Sequence, residues 1–132
     1  MKPPDREIVH TLALNSIPGV GTRTYSKLME RFGTPENVFK TGRANLEKIP
    51  RIQRPTVDAI LSTDPEKVGS DELEKIREKN INVTMPGFDD YPALLARIDD
   101  PPPVLYYTGE LKETDELAVG VVGSRDPTDY GK

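Results

Sequence analysis

The sequence contains no cysteine and a single histidine among its 132 residues. Without cysteine there is neither a disulfide framework nor a thiolate metal site, an absence in keeping with a reducing cytoplasm. His10 falls inside an amphipathic helical pattern, where it reads as a surface or half-buried residue and not as a catalyst. Long apolar runs are missing as well; none approaches the roughly 20 residues that a membrane-spanning helix needs. Met1-Lys2-Pro3-Pro4 is not followed by the apolar core of a signal peptide. Asp99-Asp100, before three prolines, is the nearest approach to a metal-binding carboxylate pair, and such residues ordinarily cap or solvate a loop. The absences together lead us to expect a soluble, cytoplasmic protein with no membrane role, no catalytic residue, no metal and no cofactor.

What is present is modest in apolar content, 35%, and rich in proline, with 13. The length allows one ordinary domain, or a small domain and part of another. The net charge of −4 is unevenly spread. Residues 1–64 carry ten Lys/Arg against seven Asp/Glu, whereas residues 65–132 carry eight against fifteen. Any long-range attraction for phosphate therefore belongs to the first half.

That half is organised by a repeat. Asp5 to Asn15 reads as a helix with Asp5 as its N-cap and Ile8, Val9, Leu12 and Ala13 on one face. A tight turn, Ile17-Pro18-Gly19-Val20-Gly21, leads into a second helix from about Thr22, striped by Tyr25, Leu28, Met29 and Phe32 and closed by Gly33. Thr34-Pro35 opens a short helix that buries Val38 and Phe39. With an offset of 32, Leu14, Ile17, Pro18, Val20, Tyr25, Leu28 and Met29 recur as Leu46, Ile49, Pro50, Ile52, Val57, Ile60 and Leu61. Two helix, hairpin, helix units are expected, with Ile17 and Ile49 in equivalent buried positions.

The first turn resembles the helix-hairpin-helix signature of many DNA-binding proteins. Its glycines permit turn dihedrals closed to other residues and leave the amides of the next helix open to a phosphate. Gly19, Val20, Gly21, Arg23 and Lys27 are its candidate DNA-backbone contacts, and such contacts are independent of sequence. In the second copy Arg51 and Gln53 replace the glycines, so that hairpin is expected to pack without gripping DNA. The alternative is that both hairpins only hold helices together, as in SAM-like docking modules.

Asp64-Pro65 starts a polar helix to about Lys79, whose alternating charges form a solvated face, and Asn80 stops it. Ile81, Val83 and Met85 alternate with Asn82 and Thr84 as a strand would, and Pro86-Gly87 ends it. Further strands are expected near 104–108 and 117–122. Ala118, Val119, Val121 and Val122 form an apolar run suited to a parallel strand buried on both faces. Gly123, Ser124 and Arg125 follow, and Asp126-Pro127 favours a helix start. Strand, small-residue turn and helix N-terminus make an anion site, to which Ser124 adds a hydroxyl and Arg125 a fork shaped for phosphate. The spacing is neither the dinucleotide G-x-G-x-x-G fingerprint nor a P-loop. The chain ends as that helix begins, so we expect it to be the front portion of a larger protein, with incomplete strands that invite self-association.

Tyr91-Pro92-Ala93-Leu94-Leu95, then Ile98-Asp99-Asp100-Pro101-Pro102-Pro103-Val104-Leu105-Tyr106, Gly109, and Val121-Val122-Gly123-Ser124-Arg125 with Thr128, Tyr130 and Gly131 resemble the DNA-processing protein A (DprA/Smf) family. The resemblance implies an α+β fragment. An all-α double helix-hairpin-helix (SAM-like) domain over 1–64 precedes, at 65–132, the first strands of an extended Rossmann-like α/β domain. It also implies sequence-independent binding of single-stranded DNA, loading of RecA recombinase in natural transformation, and no enzymatic activity. A homodimer would form through residues beyond Lys132. Gly123, Ser124 and Arg125 would form the phosphate-facing loop. Two rival classes are a SAM-like protein-docking module and the start of a Rossmann-like nucleotide hydrolase.

Overall fold

α1, Asp5–Asn15, is covered on more than one side, because every residue from Ile8 to Leu14 is buried. The computed structural model describes residues 3–111; the strand expected over 117–122 and the Gly123, Ser124 and Arg125 loop lie outside the described residues. Pro4, not Asp5, is the N-cap residue, with φ −68° and extended ψ. Asp5 is the first helical residue, and its carboxylate instead accepts from the Arg77 guanidinium at 2.7 Å. His10 is also not where it was expected, being only 6% exposed. Its Nδ1–H donates to the Arg6 carbonyl one turn back at 2.8 Å, which satisfies one ring nitrogen locally and lets the ring turn inward.

The repeat holds at the level of single hydrogen bonds. Ile17 N–H donates to the Leu14 carbonyl and Ile49 N–H to Leu46; Val20 donates to Ile17 and Ile52 to Ile49; Tyr25 donates to Gly21 and Val57 to Gln53. Each pair is 32 residues from its counterpart. Gly19 has φ +93°, and Arg51, its equivalent, also takes positive φ at +63°. α2, Thr22–Phe32, and α5, Arg54–Ser62, follow the two turns. Leu14, Ile17, Val20, Tyr25 and Leu28 share one core cluster with Leu46, Ile49, Val57 and Ile60. Burying each such side chain contributes about 1.5–3 kcal/mol before entropy is subtracted. The copies differ at their edges. Leu61 is 41% exposed while Met29 packs against the core. The first helix of the second copy, α4, is a single turn, Arg43–Leu46, because the extended Thr41 and Gly42 precede it. Between the copies lies α3, Pro35–Lys40, capped by the Thr34 hydroxyl accepting from Asn37 N–H at 3.2 Å.

α6, Pro65–Glu78, is capped by the Asp64 carboxylate and runs along α1. Its charged residues face solvent, but Leu73 and Ile76 join Ile8, Val9, Leu12 and Val104 in a second cluster. Gly69 sets the approach: a Cβ there would stand 2.0 Å from the Val9 carbonyl oxygen. After Asn80, at φ +55°, comes β1, Asn82–Thr84. It pairs antiparallel with β2, Leu105–Tyr107, in the register Asn82–Tyr107, Val83–Tyr106 and Thr84–Leu105. Thr84, expected on the polar face, is fully buried, since the Asp90 carboxylate accepts its hydroxyl and the Tyr107 hydroxyl as well. Tyr107 is pushed up to about 12 by burial and by that carboxylate. One turn of helix, α7 (Ala93–Ala96), interrupts the loop between the strands. The Tyr91 hydroxyl donates to the Pro102 carbonyl at 2.9 Å and ties down the proline run.

Candidate nucleic-acid interface

The first hairpin presents amides. Gly21 is the N-cap of α2, extended at φ −86°, and has no side chain with which to cap the helix. The first helical hydrogen bond starts only at Tyr25 N–H, so the first-turn amides before it have no intrahelical acceptor. A Cβ at Gly21 would meet nothing within 4 Å, which leaves the approach to those amides open. Gly19 does different work. Its positive φ makes the turn, and a Cβ there would stand 2.2 Å from the Thr56 Oγ1. Val20, between the two glycines, is buried and anchors the turn in the core. Tyr25, in the same core cluster, is pushed up to about 12 by burial.

The second hairpin lies against the first. Thr56, in the first turn of α5, donates its hydroxyl to the Pro18 carbonyl at 3.4 Å, and Lys27 of α2 donates to the Pro50 carbonyl at 3.3 Å. Lys27 therefore braces the hairpins, and its charge is held at the second turn. Pro55 removes an amide from the start of α5, so this copy offers fewer N–H donors than the first. It offers cations instead. Lys48, Arg51 and Arg54 are exposed and form no ion pair among the described residues. The neighbouring acids are occupied elsewhere, because Arg43 takes Asp58 at 2.6 Å and Glu47 at 3.8 Å. Arg23, with a side chain 76% exposed, stands 3.9 Å from Asp100, a distance that leaves it largely free in water.

The structure thus places Gly19, Val20 and Gly21 in the first turn and Arg23 and Lys27 in the helix that follows it, with Val20 buried and Lys27 turned to the second hairpin. Beside them stand Lys48 and Arg54, which no motif of the sequence marks, and Arg51, whose hairpin is expected from the sequence only to pack. The offset of 32 held the signal: an arginine placed where the first copy has the positive-φ glycine sits at a turn tip and faces solvent. Asp99 and Asp100 belong to no cluster of metal ligands among the described residues.

Residues 82–132 match the family model described as DNA recombination-mediator protein A. The chain is 33% identical over 129 residues to Protein Smf of Synechocystis, covering 95% of this chain and 32% of that protein. It is 39% identical over 61 residues to the DNA processing protein DprA of Bacillus subtilis, covering 46% of this chain and 20% of that one. The chain therefore spans a third or less of the length of these curated relatives. No solved structure matches it significantly. With the Tyr91-Pro92, Asp100-Pro101-Pro102 and Gly123-Ser124-Arg125 motifs in place, the chain belongs to the DNA-processing protein A (DprA/Smf) family.

Proposed function

We propose that this chain takes part in DNA processing and recombination by binding single-stranded DNA without sequence preference, and that residues 5–62 act as a double helix-hairpin-helix, SAM-like unit in that binding. The observation that carries the reading is the pairing of two braced hairpins, one presenting free amides and the other unpaired cations. Amides at a helix N-terminus and guanidinium groups both suit phosphate, and neither reads a base. In this reading residues 65–132 begin a Rossmann-like domain whose Gly123-Ser124-Arg125 loop supplies a further phosphate contact. The whole protein delivers its DNA to RecA as a homodimer during natural transformation, and catalysis has no part in the role. The names of the Smf and DprA relatives and of the matching family model support the recombination setting.

Backbone amide shifts on titration with an oligothymidylate test the hairpin directly. Gly21, Thr22 and Arg23 should move first, together with Arg51 and Arg54. Shifts confined to residues after Leu111 would assign DNA to the later loop alone and reduce the helical unit to a docking module.

A further inference from the structure

Between α1, the later part of α2, the start of α3 and the segment 85–103 lies an open cleft of about 910 Å³. Its floor is His10 and Tyr25, both more than nine-tenths buried. A carbonyl only accepts, so the His10 bond to Arg6 places the hydrogen on Nδ1 and leaves Nε2 as an acceptor in the neutral ring. No donor among the described residues reaches that nitrogen, nor is it sealed off from the cleft. Met29, Met85 and Phe88 supply apolar wall. The rim is acidic. Glu7, Glu30 and Asp99 form no ion pair among the described residues, while Glu36 engages the cationic Arg6.

We propose that this cleft docks a protein segment presenting a lysine or arginine beside an apolar side chain. A cationic N–H donor answers both the unpaired acceptor on the floor and the three free carboxylates at the rim. An apolar neighbour covers the Met29, Met85 and Phe88 surface, and methionine walls adapt to such partners. A nucleic acid is excluded by the same rim, whose charge repels phosphate. The inference stands apart from the DNA reading, which uses the hairpins.

A fluorescein-labelled peptide of alternating leucine and arginine is the probe, with glutamate replacing arginine in the control. At pH 7.5 the first should bind the whole chain and shift the resonances of His10 and Phe88; the control should not. The double variant Glu7→Lys/Glu30→Lys, altered only at exposed positions, should lose affinity about tenfold or more with its thermal unfolding unchanged. Phe88→Ala should weaken binding separately. No binding at millimolar peptide, equal binding by the double variant or by the control, or peptide shifts away from His10 and Phe88 would overturn the proposal. The last outcome includes occupation of the cleft by the chain's own later residues. Displacement of the peptide by an oligothymidylate would overturn it too.

Discussion

Gly69→Ala tests the close approach of α6 to α1. The new Cβ would lie 2.0 Å from the Val9 carbonyl oxygen, 2.6 Å from its carbon and 2.7 Å from Val9 Cγ1. A carbon normally stays about 3.3 Å from a carbonyl oxygen, so the helices must separate by more than an ångström. Two of the three obstructing atoms are backbone, and no rotamer change relieves them. Separation would also loosen Ile8, Val9 and Leu12 against Leu73 and Ile76. We place this cost near the upper end for overpacking, about 3 kcal/mol. Alanine returns about 1 kcal/mol through helix propensity, which leaves a net loss of about 2 kcal/mol. For a body of this size the midpoint of thermal unfolding should fall by about 10 °C, followed by circular dichroism at 222 nm. Gly42→Ala, where the Cβ meets nothing within 4 Å, is the control and should change the midpoint little. A midpoint equal to or above that of the parent in Gly69→Ala would refute the account of how the two helices meet.

Three other outcomes follow from the same geometry. Arg51→Gly should leave stability nearly unchanged, because glycine accepts the φ of +63° but costs backbone entropy; it should lower the log–log salt slope of single-strand binding by about 0.7, and an unchanged slope would remove Arg51 from the DNA face. Glu36 is held at about 2, below the ordinary 4.5, first by its Arg6 and then by its Lys40 hydrogen bond. The stabilisation is present above pH 4.5 and is lost as pH falls from there toward 2, so Glu36→Gln should flatten that part of a stability-against-pH curve. Arg125→Ala in the whole protein should weaken binding to all single-stranded sequences alike, and Arg125→Lys should restore part of it, since an ammonium keeps the charge without the fork; loss of binding for one sequence only would contradict a phosphate contact.

The helical half was legible because its signals are local. The Tyr25, Leu28, Met29, Phe32 stripe and the Thr34-Pro35 start rest on spacing and capping, which neighbouring structure rarely overrides. Gly69 was opaque: within a polar helix it looks like a weak point, and only the tertiary approach of Val9 explains it. His10 and Thr84 were misplaced for one reason. Polarity in the sequence points such side chains toward the surface, whereas a carbonyl four residues back and the Asp90 carboxylate satisfy them inside. The second hairpin lacks the glycines that make the first one recognisable, and only the structure shows that Arg51 adopts the same positive φ and forms no ion pair among the described residues. The acidic cleft gathers α1, α2, α3 and the proline run, and no single stretch of sequence contains it.

The most direct measurement is the salt dependence of oligothymidylate binding by the chain and by its Arg23→Ala/Arg51→Ala/Arg54→Ala variant. The account predicts weaker binding to every sequence and a log–log slope shallower by about 2, one increment of about 0.7 for each lost phosphate contact. Identical affinity and slope in a variant with unchanged thermal unfolding would contradict the claim that the paired hairpins hold DNA.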